Sequence, residues 1–325
     1  MASTDPALSP PPELVAAGRL ASELVAACAK AVRAPQEVLE ACVACLVSGG
    51  HLMIEDAPGV GKTVLAKALA RAAGCSYARV QCTADLLPAD VTGVTVWHQG
   101  DGAFRFHPGP VFANLVLVDE INRASPKTQS ALLECMEERH VTVDGTTRPV
   151  PEPFMVIATQ NPVEYEGTFP LPEAQLDRFA LRVTLGYPSA ADEAAMILDL
   201  STHDALDGVP VVADERSLIA AQAALADIHV DPALAEYVVG LVRATRSDPR
   251  ADLGASPRAG LSLLRVARAR ALVQGRPYAL PEDVKAMARM ALAHRLLLTP
   301  DARARAVDPA EVVEDALRAT PVPLA

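Results

Sequence analysis

The fold is decided by one stretch of the sequence, Ile54-Glu55-Asp56-Ala57-Pro58-Gly59-Val60-Gly61-Lys62-Thr63. Gly59 and Gly61 let the backbone curl so that successive N–H groups converge on phosphate oxygens. Lys62 adds a point charge for the β- and γ-phosphates, and the Thr63 hydroxyl can hold Mg²⁺. The stretch therefore predicts a phosphate-binding loop for a nucleotide.

The residues on either side of this loop predict a strand before it and a helix after it. Leu52-Met53-Ile54 is an apolar run suited to a buried parallel strand, and Val64 to Ala70 are good helix formers with an apolar face. Asp56 replaces the first glycine of the usual pattern, a departure that concerns only the fine geometry of the loop. We expect the nucleotide contacts to come from Pro58, Gly59, Val60, Gly61, Lys62, Thr63 and Val64.

Length and composition indicate a folded protein that is not built for nucleic acid. The 325 residues, 50% of them hydrophobic, can form one large or two medium domains. With 29 basic and 40 acidic residues the net charge is −11, which disfavours duplex nucleic acid or an anionic membrane as partner. Residues 1–12 are polar and proline-rich and resemble no signal peptide, and no apolar run reaches membrane-spanning length. We expect a flexible tail over residues 1–12, no membrane span and a cytoplasmic location.

Two further patterns concern hairpins and cysteines. Turn signals at Gln99-Gly100-Asp101-Gly102 and Asp144-Gly145 predict hairpins over Val91 to Phe106 and His140 to Val150. Alternation in the first hairpin favours a core position for Val96, Trp97, Phe104 and Phe106. Cys42 and Cys45 share one face of a predicted apolar helix without a second pair at zinc-like spacing, which favours buried reduced thiols.

The chain changes character near Tyr187-Pro188. Buried-strand runs at Leu115 to Val118 and Phe154 to Ala158 precede this point, and alanine- and leucine-rich amphipathic segments follow it. Four of these segments begin at or next to a proline, where a missing N–H is harmless, at positions 232, 257, 281 and 309. We predict an α/β domain with a parallel sheet flanked by helices over residues 13–187, followed by an all-α domain over residues 188–325.

Polar side chains follow the predicted buried strands. Asp119 can bind Mg²⁺ through water, and Glu120 can polarise an attacking water. Asn161 follows the next strand and can hold the same water from the other side. Arg178 ends a short predicted helix, where it could complete a neighbour's site or simply bind the last carbonyls of that helix.

Several blocks of sequence closely resemble, in their order, the MoxR family of AAA+ ATPases. The resemblance runs from Gly18 over nearly the whole chain and implies an AAA+ phosphate-loop domain with two β-hairpin inserts and a helical lid. The blocks are Asp119 to Ala124, Pro126 to Glu134, Gln160-Asn161-Pro162, Pro172 to Phe179, Ser256-Pro257-Arg258 and Pro281 to Val284.

The resemblance also implies a ring, usually a hexamer, with ATP and Mg²⁺ at the subunit interfaces. It makes Lys62 and Thr63 the Walker A residues, Asp119 and Glu120 the Walker B residues, and Asn161 sensor 1. Arg178 matches the arginine finger and Arg258 matches sensor 2, which could act on its own subunit's nucleotide or on the neighbour's. The two hairpins resemble inserts that face the central channel.

The implied function is an ATP-driven, chaperone-like remodeller that matures protein or metalloenzyme complexes. The partners implied are a von Willebrand factor A domain protein and a client protein. One alternative is the ATPase subunit of a metal chelatase, which shares this branch and its hairpins. Another is a nucleotide-gated scaffold with little turnover, against which the intact Glu120 and Arg178 argue.

Overall fold

A computed structural model describes residues 10–100, 102–161, 167–199 and 206–323. The strands are β1 (Leu52–Glu55), β2 (Tyr77–Gln81), β3 (Gly93–His98), β4 (Ala103–Pro108), β5 (Leu115–Asp119), β6 (His140–Val143), β7 (Thr146–Pro149), β8 (Met155–Gln160), β9 (Leu181–Val183), β10 (Ala251–Leu253) and β11 (Leu297–Leu298). The helices are α1 (Pro12–Cys28), α2 (Gln36–Val47), α3 (Lys62–Ala72), α4 (Pro88–Thr92), α5 (Pro126–Glu138), α6 (Glu173–Leu176), α7 (Ala190–Asp199), α8 (Glu215–Ala224), α9 (Pro232–Ser247), α10 (Pro257–Val273), α11 (Pro281–Leu292), α12 (Pro300–Ala304) and α13 (Pro309–Ala319).

A parallel five-stranded sheet in the order β2-β5-β8-β1-β9 forms the centre of the molecule. Because successive strand residues point to opposite faces, β1, β5 and β8 each contribute side chains to two cores. Leu52 and Ile54 join a core with the N-terminal and C-terminal helices, whereas Met53 faces a second core that includes Leu132 of α5. The predicted α/β domain with a buried parallel sheet is confirmed.

Both predicted hairpins form, but the part of the first one near its tip is exposed. Among the described strands, β3 and β4 pair with each other and stand apart from the central sheet. Trp97 and Phe104 contact each other edge to face and remain 51% and 71% exposed, and Val96 is exposed as well. The expectation that these three side chains belong to the core was wrong, while Phe106 is half-buried.

The second hairpin lies beside the first and turns where the sequence predicted. Asp144 and Gly145 adopt positive φ angles of 50° and 72°, as a tight turn between antiparallel strands requires. The Arg148 guanidinium on β7 lies 4.0 Å from the centre of the Phe106 ring on β4. This cation–π contact joins the two hairpins. Asp101 at the tip of the first hairpin lies outside the described residues.

The C-terminal part is helical, and each of the four predicted prolines opens a helix. They are the first residues of α9, α10, α11 and α13. A short antiparallel ribbon of β10 and β11 is an addition that the sequence did not predict. Within the described ranges, no helix has the length and apolar character needed to cross a membrane.

Two helices that precede the sheet pack against the C-terminal helices. Helix α1 contacts α8 and α10, and α2 contacts α10, within one continuous core. Cys42 and Cys45 are fully buried in α2, where desolvation raises the thiol pKa of both. The proposed boundary between residues 187 and 188 stays a prediction, and this core crosses it. Most of the predicted tail lies outside the described residues, and Pro12 already belongs to α1.

Candidate nucleotide site and arginine cluster

The phosphate loop lies between the end of β1 and the start of α3. Gly59 and Gly61 have φ angles of 87° and 94°, which only glycine adopts without strain. A Cβ atom built on either glycine would meet no atom within 4 Å. Open space therefore lies beside both glycines, and the loop N–H groups and the N-terminus of α3 can receive an anion. These residues fit the phosphates of a nucleotide.

Lys62 stands at the first position of α3 and folds back over the loop. Its Nζ donates to the Asp56 carbonyl at 2.6 Å and to the Ala57 carbonyl at 3.2 Å. This geometry holds the ammonium group at the loop, as expected for a residue that binds β- and γ-phosphates. Thr63 follows it in the first turn of α3, half-buried.

Asp119 is a buried carboxylate at the end of β5. It lies at the carboxyl edge of the sheet, as the phosphate loop does. Its Oδ1 accepts a hydrogen bond from the Thr159 hydroxyl at 3.0 Å, and its Oδ2 accepts from the Arg79 Nε at 2.7 Å. Oxygen donors of this kind, a carboxylate and the Thr63 hydroxyl, suit Mg²⁺ held partly through water. The donor set therefore fits the predicted magnesium site.

Glu120 has a left-handed backbone, with φ 56° and ψ 51°, which is uncommon for a residue other than glycine. Its N–H donates to the Thr159 hydroxyl at 2.9 Å, and its carbonyl accepts from the Arg123 N–H at 2.8 Å. The Gln81 amide donates to its carboxylate at 3.1 Å. These contacts hold a strained backbone in place, a feature that clusters at functional sites.

Asn161 follows β8, which lies between β5 and β1 in the sheet. The preceding residue, Gln160, accepts the Asp56 N–H on its carbonyl at 3.2 Å. Because the three strands are parallel neighbours, their carboxyl ends bring Asn161 to the same edge as the loop and the two acids. Asn161 is buried there. Pro162 of the predicted motif lies outside the described residues.

Arg178 and Arg258 lie at the opposite edge of the sheet. The Ala180 N–H bonds to the His51 carbonyl at the start of β1, which places Arg178 at the amino ends of the strands. Strand β1 separates His51 from Asp56, a distance of roughly 16 Å at the usual rise per residue. The sequence analysis left Arg178 to complete a neighbour's site and Arg258 to act on either subunit's nucleotide, and the structure places both arginines away from the loop of their own subunit.

One carboxylate holds both arginines. Glu137, near the end of α5, accepts from the Arg178 Nε on Oε2 and from the Arg258 Nη1 on Oε1, each at 2.8 Å. The hydrogen bond from Arg258, followed by that from Arg178, lowers the pKa of Glu137. Arg178 also donates to the Ala174 carbonyl at 3.4 Å, so the simple helix-end contact exists but is long.

The cluster opens onto a cavity of about 290 Å³ between the sheet edge and α10. Its lining is strongly basic, with Glu137 and Asp177 as acidic members beside Arg139, Arg178, Arg258, Arg265 and Arg295. Arg295 is buried and pairs with the Asp177 carboxylate at 2.8 Å, and it also donates to the Asp177 carbonyl at 3.2 Å and the Phe179 carbonyl at 3.0 Å. A residue of the helical part thus fixes the backbone on both sides of Arg178.

The sequence did not reveal Arg79, Gln81, Thr159 or Glu137 as site residues. Arg79 and Gln81 alternate on one face of β2, a spacing that becomes informative only once β2 is known to lie beside β5. Thr159 lies two positions before Asn161, and the pattern predicted Asn161 as the site residue instead. Glu137 gives no sequence signal, because its partners are 41 and 121 residues away along the chain.

Comparisons with known proteins agree with the geometry. Residues 51–181 match the profile of the ATPase family associated with various cellular activities (AAA), and residues 243–316 match the AAA lid domain. A crystal structure of a candidate ATPase from Cytophaga hutchinsonii superposes with a TM-score of 0.89 at 35% identity, covering 96% of this chain and 97% of that one.

Two relatives are similar over most of their length. The uncharacterised protein YeaC of Bacillus subtilis is 46% identical over 283 residues, which are 87% of this chain and 88% of that protein. The chaperone MoxR1 of Mycobacterium tuberculosis is 42% identical over 296 residues, covering 88% of this chain and 78% of that protein. With the phosphate loop, the acidic strand end and the helical lid, these matches show that the chain belongs to the MoxR family of AAA+ ATPases.

Proposed function

We propose that this protein hydrolyses ATP to ADP and phosphate at the carboxyl edge of its sheet. One observation carries the proposal: an open phosphate loop shares this edge with Asp119, Glu120 and Asn161. A loop that binds phosphate does not by itself separate hydrolysis from transfer to another acceptor. The pair of acids beside it favours hydrolysis, because one can bind the metal while the other polarises water.

Each residue then has a separate task. The loop N–H groups and Lys62 would bind the β- and γ-phosphates. Thr63 and Asp119 would hold Mg²⁺, which neutralises charge on the phosphate oxygens. Glu120 would accept a proton from the attacking water, and Asn161 would orient that water. Arg79 bonds to the Asp119 carboxylate on its second oxygen and would keep it turned toward the loop.

We infer that Arg178 and Arg258 act on the nucleotide of a neighbouring subunit. Both lie at the amino edge of the sheet, and the length of β1, roughly 16 Å at the usual rise per residue, separates that edge from their own loop. Glu137 brings the two guanidinium groups together, one from the sheet domain and one from the helical part. Such a pair at a subunit edge would stabilise charge on a transferring phosphoryl group. This arrangement requires a ring or another closed oligomer.

The biological role that we propose is chaperone-like remodelling of a client protein, together with a von Willebrand factor A domain partner. The exposed Trp97 and Phe104 pair on the first hairpin supports this role, because exposed aromatic clusters mark surfaces that bind other proteins. The Arg148 guanidinium on the second hairpin contacts the Phe106 ring on the first one, so the two hairpins would move together.

Paired variants test the proposed hydrolysis. Lys62→Ala should abolish ATP binding, whereas Glu120→Gln should keep binding and lose turnover by about a hundredfold or more, because only proton transfer is removed. Lys67→Ala is the matched control, since Lys67 lies on the same helix and is exposed. Affinity and phosphate release are measured for all of them. Equal turnover in Glu120→Gln and wild type would remove the assigned role, and binding without turnover in wild type would favour a scaffold.

A further inference from the structure

Asp56, the residue that departs from the usual glycine, makes three hydrogen bonds to backbone N–H groups. Its Oδ1 accepts from Ala57 within the loop at 2.8 Å. Its Oδ2 accepts from Leu185 at 2.7 Å and from Gly186 at 2.8 Å, both in the segment that leaves β9. One side chain thus joins the phosphate loop to the start of the connection that leads to the helical part.

The side chain, and not the backbone, explains this aspartate. Asp56 is 7% exposed, and its φ angle is not positive, so the loop conformation does not require glycine at this position. A buried carboxylate needs strong hydrogen bonds, and the three N–H donors supply them.

The far end of the loop helix is tied to the same connection. The Ala72 carbonyl at the end of α3 accepts from the Val212 N–H at 2.9 Å and from the Ala213 N–H at 3.1 Å. The Arg71 Nε on the same turn donates to the Val209 carbonyl at 3.0 Å. The loop and α3 are therefore held at one end by the segment before α7 and at the other by the segment that precedes α8.

We propose that Asp56 is a positioning residue that transmits nucleotide occupancy of the loop to Leu185 and Gly186. A phosphate that binds in the loop shifts the Ala57 N–H. The Asp56 carboxylate then shifts as well, because it binds both this N–H and the segment of Leu185 and Gly186. Gly186 has a φ angle of 73° and no atom near its Cβ position, so the chain can pivot there. The inference rests on the proposed nucleotide site and adds the route by which that site moves the helical part.

Hydrogen exchange on the full chain tests this link directly. The amides of Leu185 and Gly186 are followed with and without a non-hydrolysable ATP analogue and Mg²⁺. In wild type the analogue should change their exchange rates by about tenfold, the size expected for a hydrogen bond to a charged group. In Asp56→Gly both amides should exchange roughly tenfold faster without nucleotide, and the analogue should no longer change their rates.

The kinetics should separate positioning from loop integrity. Asp56→Gly should lower kcat about tenfold while the affinity for the analogue stays within about twofold. Asp56→Asn should be intermediate, because its single carbonyl oxygen can still accept from Leu185 and Gly186 but then loses Ala57. Asp231→Gly is the control: it removes a comparable bond, to the Ala233 N–H at 2.8 Å, at the start of α9.

Each result decides the proposal. It is overturned if Asp56→Gly keeps a nucleotide-dependent change of wild-type size, or if its affinity falls as much as its kcat. It is also overturned if wild type binds the analogue and shows no change at these amides. If Asp56→Gly does not fold, Asp56→Asn gives the same readouts. Failure of wild type to bind the analogue at all would instead remove the proposed function.

Discussion

Thr159 determines the positions of both acids of the candidate site. Its single hydroxyl donates to Asp119 and accepts from the backbone of Glu120, whose left-handed conformation is held by that bond. A buried hydroxyl with two partners is sensitive to replacement, because each partner is left with an unmet hydrogen bond. The geometry of the acidic pair therefore depends on a residue that carries no charge.

Thr159→Val should separate binding from turnover. The variant keeps the shape of the side chain and loses the hydroxyl, so ATP affinity should stay near wild type while kcat falls roughly ten- to a hundredfold. Thr159→Ser retains the hydroxyl and should keep most of the activity. Steady-state kinetics of the two variants check this, and equal kcat values in Val and Ser variants would contradict the role.

His51 gives the protein a stability that depends on pH. The ring accepts from the Val156 N–H on Nδ1 at 2.9 Å and contacts the Met136 carbonyl through Nε2 at 3.1 Å. Burial, followed by the nearby charge of Arg139, lowers the pKa of His51 to about 3. Below pH about 6.5 the unfolded chain binds a proton that the native ring does not, so stability falls as the pH drops from 6.5 toward 3.

Urea unfolding between pH 7.5 and 5 measures this effect. His51 should contribute a loss of up to about 1.4 kcal/mol per pH unit below 6.5. His51→Gln should be less stable at pH 7.5 and should show a shallower pH slope. His107→Gln, on the exposed first hairpin, should leave the slope unchanged. The same slope in His51→Gln and wild type would show that this ring does not titrate on unfolding.

At the scale of elements, local patterns predicted the strands and helices well. The glycines of the loop, the turn at Asp144-Gly145 and the prolines that open α9, α10, α11 and α13 act on their own segments, so single-sequence patterns report them. The core position predicted for Trp97 and Phe104 was wrong, because alternation tells which residues share a face of a strand and not whether another element covers that face. Glu137 and Arg79 were not predicted as site residues, because the partners of their side chains depend on strand order and helix packing.

The first hairpin should bind the client and take no part in the chemistry. Trp97→Ser with Phe104→Ser should leave the melting temperature and basal ATPase near wild type, because both rings are already exposed. Capture of partner proteins from the native host should weaken. Leu253→Ser, an exposed apolar residue on β10, is the control. Recovery of the same partners at the same yield by the double variant would contradict a client-facing hairpin.

At the scale of the whole molecule, the proposed mechanism assigns complementary halves of one site to the two edges of the sheet. The carboxyl edge holds the loop and the acids, and the amino edge holds Arg178, Arg258 and a basic cavity in a chain with a net charge of −11. Helices α1 and α2 join the sheet and the helical part in one core, and Arg295 bonds the helical part to the backbone beside Arg178. We therefore predict that neither edge is sufficient without the other edge of a neighbouring copy.

Mixing two inactive variants tests this central claim most directly. Glu120→Gln subunits keep their arginines, and Arg178→Ala with Arg258→Ala subunits keep their loop and acids, so each preparation alone should hydrolyse almost no ATP. In an equal mixture, about a quarter of the interfaces should join a subunit with intact acids to a neighbour with intact arginines. These interfaces should recover activity. Subunit exchange is confirmed in parallel with fluorescently labelled chains. If exchanged mixtures stay as inactive as their components, the arginines do not act across the interface.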